Sequence, residues 1–408
     1  MVDWNSLECI LEEIGLPRKF TSWIMKMVTI VSYRFNVNGE YSDLLQAMRG
    51  IRQGDPISPL LFVILMEYRN RTMVKMQKNK DFKHHNKCKK LAITHLYFAD
   101  DVLLFRRGDV KSMERMFEAF KCFSGSTGLI VNHNKCMIFC GGMDNDVDVT
   151  IQDSTEFAIG QLPIRYSDVP LLSKKLNMNH YLPMVERITS RIRHWTAKLL
   201  SRAGRIQLVN IITTAIAQYW MNCLPLPKFV IHKIDALCRS FVWTGKSEVS
   251  RKSLVAWKKT CSPIQQGGLN MINLEIWNSI TLLKCLWNLC KKMDNMWVKW
   301  VHAYYLKGKT VQAVSIPNSC SWILKTIIKK RSLIPIIQQQ WEAMITKNRF
   351  VMKDLYLQLI DDQSRVDWRN LMRNNYARPR ALITLWFGCH RRLATKDRLV
   401  KMGMIQNL

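Results

Sequence analysis

Acidic residues are scarce in this chain. Aspartate and glutamate number 31 against 61 lysines and arginines, a formal net charge of +30 over 408 residues. The deficit runs along the whole sequence and is not confined to one basic tail. It argues for a polyanionic partner. Nucleic acid is the leading class, since a membrane surface would call for basic amphipathic helices. Long apolar runs are lacking too. The nearest candidate, "LVNIITTAIAQYWMNCLPLP", is broken by Asn210, Gln218 and Asn222. It falls short of the roughly 18 apolar residues of a membrane span and is expected to be a buried helix. No basic segment followed by an apolar run opens the chain, so no secretory signal is expected. The twelve cysteines include no C-x-x-C pair; Cys136/Cys140 and Cys285/Cys290 come closest, each without a matching second pair. That excludes a zinc site by spacing and points to reduced thiols inside the cell. His84, His85 and Cys88 sit in the polar stretch "DFKHHNKCKK", which is expected to be a solvated loop.

What is present is enough apolar sequence, 48%, for two or three domains. Asn5-Ser6-Leu7-Glu8 reads as a capping-box start, with Leu7, Ile10, Leu11 and Ile14 at helical spacing and Gly15 and Pro17 as the stop. A second helix is expected over Phe20 to Ile30. "YRFNVNGEYSDLLQ" alternates and turns at Asn38-Gly39, a hairpin signal. Pro59 opens a long helix, apolar first and basic later. "LAITHLYFAD" and "DVLLFRR" read as two strands joined tightly at Asp100-Asp101, with apolar flanks that would bury the hairpin. "SMERMFEAFKCFSGSTGL" is an amphipathic helix, and "IVNHNKCMIF" a further strand. This order suggests an α/β layer with an antiparallel hairpin at its centre. Beyond about Val169 the chain reads as helical. One long basic amphipathic helix is expected from His180 to Trp220. Trp277, Trp287 and Trp297, ten residues apart, fit one buried helix face.

Asp100 and Asp101 are the first candidate site. Adjacent carboxylates repel, and they persist where a cation neutralises them or where they stay in water. At a hairpin tip they can offer hard oxygen ligands to Mg²⁺, and two such ions bridging attacking and leaving oxygens make a phosphoryl-transfer site. The plain alternative is a solvated turn. "GIRQGDPISPLLF" is the second. Arg52 can grip phosphate, Gln53 can donate and accept, and Gly54 lets a ligand approach the backbone. There the plain alternative is a helix entry capped by Asp55 or Ser58.

"RQGDPISPLLF", "HLYFADDVLLF" and "SGSTGLIVNHNKC", in that order, resemble the reverse transcriptase of non-LTR retrotransposons, the LINE type common in plant genomes. "KLLSRAGRIQLVN", "CRSFVWTGK", "VAWKKTCSPIQQGGLNMINLEIWN" and "ARPRALITLWFGCHRRLATKDRL" resemble segments that follow the polymerase in these elements. The resemblance implies a right-hand polymerase of α/β class. A palm with partial fingers would fill residues 1–168, and a helical thumb 169–250. A tryptophan-rich helical connection would fill 251–375, and the start of a zinc-binding region 376–408. It implies an RNA-directed DNA polymerase using two Mg²⁺ ions and deoxynucleoside triphosphates on an RNA template, a DNA primer or an RNA–DNA hybrid. No membrane and no protein partner are implied. The location would be intracellular, and a chromosomal target would fit the nucleus. Carried over, Asp100 is the principal metal ligand with Asp101 in support. Phe98 and Ala99 belong to the same motif, Arg52, Gln53 and Gly54 flank nucleotide and template, and Lys135 lies by the triphosphate. Arg187, Arg191, Arg193, Lys198, Arg202 and Arg205 would track the nucleic-acid backbone, with a solvated helix face as the plain alternative.

The chain departs from the family pattern at three places. The resemblance implies a further aspartate ahead of "MVDWNSLECILEEIGLP", so the metal set here is expected to be incomplete. Asp3 is expected to cap the first helix and not to replace that ligand. "RYSDVPLL" has Ser167 and Asp168 where an apolar residue and a glycine are usual. The family's zinc-binding cysteines do not follow before Leu408. Truncation at both ends and weak polymerase activity alone are the resulting expectations. The alternatives are a non-catalytic remnant that binds RNA or hybrid, and a group II intron maturase, which the downstream segments fit less well.

Overall fold

The computed structural model describes residues 2–98, 101–130, 132–142, 151–152, 157–166, 169–172, 174–196, 200–315, 318, 320–360, 364–372 and 376–401. The chain forms two compact units, Met1–Ile164 and Arg165–Leu408. Both mix helices with few, short strands, and helices dominate.

Among the described residues the core of the first unit rests on α1 (Trp4–Glu13), α2 (Arg18–Thr29), α3 (Ser58–Gln77) and α4 (Val110–Thr127). The first helix begins earlier than its sequence signal. Asp3, not Asn5, caps it, its carboxylate accepting 2.9 Å bonds from the Ser6 N–H and hydroxyl. Asp3 is itself pinned, its N–H donating to the Thr127 carbonyl at 3.0 Å. Leu7, Ile10 and Leu11 bury against Ile24, Met25 and Val28 of α2 and Leu61 and Leu65 of α3. A second cluster joins Met73 and Met76 to Phe82, Met116 and Ala119.

The Ser6 bonds hold the Asp3 carboxyl below the usual carboxylate range. A lowered folded-state value stabilises the fold above the unfolded value, and that stabilisation is lost as pH falls through the folded one. Asparagine caps equally well without titrating. Melting curves of Asp3→Asn and the parent should therefore converge at neutral pH, with the parent falling behind in acid. Parallel curves down to pH 2 would remove this role.

The strands form five separate two-stranded sheets, so the expected central layer is absent among the described residues. The Asn38-Gly39 hairpin forms as its sequence predicts. β2 (Asn36–Val37) and β3 (Glu40–Tyr41) pair antiparallel, and Asn38 and Gly39 both have positive φ, as a type I′ turn demands. Its continuation pairs β1 (Ser32–Tyr33) with β4 (Leu45–Gln46). β5 (His95–Phe98) and β6 (Asp101–Leu104) form the hairpin of interest. The expected strand around "IVNHNKCMIF" shrinks to β7 (Met137–Ile138), parallel to β8 (Ala158–Ile159). His133–Lys135 is a 3₁₀ turn instead, because the Asn132 carbonyl and side chain take the Lys135 and Asn134 N–H groups.

At the boundary with the second unit, β9 (Ile164–Tyr166) pairs with β10 (Val169–Leu171). Ser167 and Asp168, expected at the turn between them, lie outside the described residues. The single long helix expected next is divided into α5 (Met178–Thr196), α6 (Arg202–Leu208) and α7 (Thr214–Cys223), with a π turn at Val209–Thr213. Ser201 starts α6 afresh, accepting from the Gly204 N–H at 3.3 Å. Then come α8 (Lys228–Thr244), α9 (Leu274–Cys290) and α10 (Pro379–Cys389). Trp277 and Trp287 lie on α9, and Trp287 is buried. Trp297 sits on a different helix, exposed, so one helix face accounts for only part of the tryptophan spacing. All twelve cysteines are free. Among the described residues no helix is long and apolar enough to cross a membrane. The loop around His84 is anchored by buried Phe82 and Cys88, and no metal-binding group of three side chains forms among the described residues.

Candidate functional site

In the β5–β6 register, Phe98 faces Asp101, Tyr97 faces Val102, Leu96 faces Leu103 and His95 faces Leu104. Opposite residues share a sheet face. Asp101 therefore stands on the side of Phe98 and Leu96, at the tip. Ala99 and Asp100 lie outside the described residues. Asp101 is exposed and makes no ion pair among the described residues.

The hairpin is not buried as its apolar flanks led one to expect. Phe98 is 63% exposed, and Leu96, Tyr97 and Leu104 are exposed as well. A two-stranded ribbon has two faces and two edges, and among the described residues no third strand covers either edge.

What fixes the hairpin is α3. Buried Thr94 accepts from Gln77 Nε2 at 3.2 Å and meets His95 Nδ1 at 2.9 Å. Further along, Arg69 acts electrostatically on both His95 and Tyr97. Gln77 ends α3 and Arg69 lies two turns earlier. The base of the hairpin is thus tied to the C-terminal end of α3, with Arg69 within electrostatic reach of its first strand.

Arg69 was not legible as a site residue. It is 2% exposed, with Nε and Nη2 unpartnered. Its guanidinium lies 4.5 Å from the Phe120 ring and 5.4 Å from that of Phe123. Burial pushes it down to about 10, with Tyr97 opposing slightly. Burial, and then Arg69, also push His95 below the ordinary histidine value. The missed signal is periodicity. Arg69 falls on the stripe of Leu61, Leu65, Met66, Met73 and Met76, the buried face of α3.

The Arg52 loop is held from two sides. Gly50 donates to the Val2 carbonyl at 2.7 Å, and the Trp4 indole donates to the Gly50 carbonyl at 2.7 Å. Ser58 Oγ donates to the Arg52 carbonyl at 2.6 Å, and Asp55 accepts from the Ile57 N–H at 3.1 Å. Asp55 and Ser58 thus brace the loop, and neither caps α3. Arg52 and Gln53 are left exposed. Gly54 has φ +92°, which an L side chain resists, and a β-carbon there would meet nothing within 4 Å.

Residues 1–175 match the family described as reverse transcriptase (RNA-dependent DNA polymerase). This segment is a reverse transcriptase domain. A protein of Arabidopsis thaliana named as a ribonuclease H protein is 30% identical over 154 residues, 38% of this chain and 25% of that protein. The transposon TX1 uncharacterized 149 kDa protein of Xenopus laevis is 23% identical over 279 residues, 66% of this chain and 20% of its own length. The retrovirus-related Pol polyprotein from type-2 retrotransposable element R2DM of Drosophila melanogaster is 27% identical over 184 residues, 45% and 16% of the two chains. Two of these relatives are named as transposon or retrotransposable-element proteins. The matched part spans a quarter or less of each relative.

Reverse transcriptases in general use divalent metal ions. Asp101, an exposed carboxylate with no internal cation, fits a hard-metal ligand. Lys135 is exposed on its turn. In the second unit, Arg187, Arg191 and Arg193 stand exposed on α5, while Ile188, Ile192 and Trp195 bury its other face. Lys198 lies outside the described residues. Arg202 and Arg205 belong to α6, so the expected single basic helix is two.

Proposed function

We propose that the chain is the polymerase portion of a LINE-type retroelement protein, with residues 1–168 as palm and partial fingers and 169–250 as thumb. Residues 251–375 would then be the connection, and 376–408 the start of a zinc-binding region. The observation that carries this is the antiparallel β5–β6 hairpin with Asp101 exposed at its end, within the segment that matches the family. Asp100 and Asp101 would hold Mg²⁺, with Phe98 and Ala99 as the rest of that motif. Bound Mg²⁺ ions would neutralise charge on attacking and leaving oxygens during nucleotidyl transfer. Arg52 and Gln53 bind and orient the deoxynucleoside triphosphate and template base. Gly54 keeps that side of the loop open, and Lys135 offsets charge on the departing pyrophosphate. Arg187, Arg191 and Arg193 track the RNA–DNA hybrid backbone.

Among the described residues, Asp101 gathers no group of three metal-ligating side chains. Weak catalysis by this chain alone is the reading that the family resemblance supports, since members of a catalytic set act together and losses are steep. Primer extension on an RNA template with Mg²⁺ or Mn²⁺ tests this. Weak incorporation that disappears in Asp100→Ala and Asp101→Ala is expected. Robust Asp100-dependent synthesis would confirm the polymerase and overturn the impairment. Salt-dependent hybrid binding, unchanged in Asp100→Ala and with no incorporation at all, would establish a binding scaffold instead.

A further inference from the structure

The second unit encloses a polar cavity that nucleotidyl transfer does not use. It lies where the π turn Val209–Thr213 passes α8 and the short helix Trp257–Thr260. Asn210 and Thr213 of the turn line it, with Asp235 and Cys238 of α8, Trp257 and Ile272. On α8, Asp235 falls among buried Ile231, Ile234 and Cys238, so helical periodicity carries a carboxylate toward the core. The cavity has room for a single water molecule. π turns gather at positions with a special task, and this one contributes the Thr213 hydroxyl.

The polar groups around the cavity attract one another without meeting. Thr213 is 3% exposed, and no group among the described residues reaches its hydroxyl at hydrogen-bond geometry. The Cys238 thiol acts on it, and a thiol is a weak partner. The Trp257 indole N–H is buried and falls short of hydrogen-bond geometry as well, although it draws on the Asp235 carboxylate. Asp235 makes no ion pair among the described residues. Burial pushes its carboxyl up to about 6, against the pull of Trp257, His232 and Arg239. Asn210 is already engaged, its side-chain oxygen accepting from the Ile272 N–H at 3.3 Å. Buried groups left unpaired carry their full desolvation penalty. Polar contacts too long for a direct bond are the kind that a water bridges.

We propose that this cavity is a binding site for one water molecule, which bridges Thr213 Oγ1, the Asp235 carboxylate and Trp257 Nε1 and ties the π turn to α8 and the Trp257 helix. The water accepts from the indole N–H, donates to the carboxylate and makes its third bond with the hydroxyl. Three partners are the usual complement of a buried water. A sodium or potassium ion fits the same space less well, because the indole N–H would turn its positive end toward it. The bridge serves no step of polymerisation and stands if the polymerase reading fails.

The test uses the full chain. Thr213→Val keeps the shape of the side chain and deletes the hydroxyl. With the water in place valine removes one of its anchors, and the melting temperature should fall by about 3 °C. Without the water valine relieves an unpaired buried hydroxyl, and a melting temperature that holds or rises overturns the site. Asp235→Leu breaks the bridge from its other side. In that background Thr213→Val should no longer lower the melting temperature, since residues that share a partner are not additive; an undiminished fall there assigns the loss to packing and also overturns the site. A crystal structure that shows ordered water gives the direct reading. One water within about 3.2 Å of all three atoms is expected, and side chains that meet without it refute the bridge. Exchange of potassium or sodium for choline at fixed ionic strength should leave the melting temperature unchanged; a temperature that follows the alkali ion replaces the water with a cation. None of these readouts involves primer extension, so failure of the polymerase reading and failure of this one are distinguishable.

Discussion

Gly268→Ala is expected to destabilise the second unit by about 3 kcal/mol or more, among the larger effects a single methyl group can have. A β-carbon at Gly268 would fall 1.8 Å from the Ser262 carbonyl oxygen and 2.8 Å from that of Lys259. Both obstacles are backbone, and neither is free to move. Ser262 O accepts from the Asn270 N–H, and Lys259 O from the Ser262 N–H. Gly268 and Leu269 close the same loop onto Pro263 and Thr260.

The damage would spread. The carbonyl of Gly267 accepts from the Trp386 indole at 2.9 Å and from His390 Nε2 at 2.8 Å. Trp386 is fully buried and stacked on Trp243. Moving Gly268 drags that carbonyl, unpairs a buried indole N–H and loosens α10. Urea unfolding followed by near-ultraviolet circular dichroism would register both the lower midpoint and the lost tryptophan packing. Gly54→Ala is the comparison: its β-carbon meets open space, so only the left-handed backbone is penalised, by about 1–2 kcal/mol. Equal effects at the two glycines would sink the account of Gly268.

Those two glycines also mark how far the sequence could be read. Features set by local chemistry were legible. Asn38-Gly39 turns where its residues say it must, whereas Asp101, expected in the turn of the next hairpin, pairs with Phe98 as the first residue of β6. "RQGDPISPLLF" is a loop leading into a helix. Features set by what covers an element were not. "HLYF" is apolar, yet a two-stranded ribbon leaves Phe98 in water. Asn5 and Ser6 gave the capping-box signal, yet Asp3 caps the first helix, as its place at the helix entry implied, and the Thr127 carbonyl, far along the chain, anchors it. The basic run from Arg187 to Arg205 keeps helical periodicity across Ser201, and only the Ser201 side chain, taking the Gly204 N–H, reveals the new start. Arg202 and Arg205 looked like their neighbours in sequence but settle against Phe387 and Gly245, residues distant in sequence.

Arg69→Leu is expected to stabilise the first unit by about 1–3 kcal/mol. The sign follows from two opposing terms. Burial pushes the guanidinium below the ordinary arginine value, to about 10. At 1.36 kcal/mol per unit, keeping its proton at neutral pH penalises the fold by about 3 kcal/mol. The rings of Phe120 and Phe123 return about 2 kcal/mol through cation–π attraction when desolvated. Leucine removes the penalty, leaves no unpaired Nε or Nη2, and keeps apolar contact with both rings. The lowered value means the penalty is full at any pH below the folded value and relaxes only as pH rises above about 10 toward the ordinary arginine value. The gain should therefore be constant between pH 6 and 9. Arg69→Lys separates charge from shape: a compact, strongly hydrated ammonium spreads poorly over two rings, so that variant should fall below the parent. His95 supplies an independent readout. Arg69 is one of the groups that lower it, so its imidazole should titrate at higher pH in Arg69→Leu, as proton resonance of the ring can follow. A leucine variant less stable than the parent, with His95 unmoved, would mean that the guanidinium has a partner that outweighs its burial, and that Arg69 supports the hairpin instead of straining it.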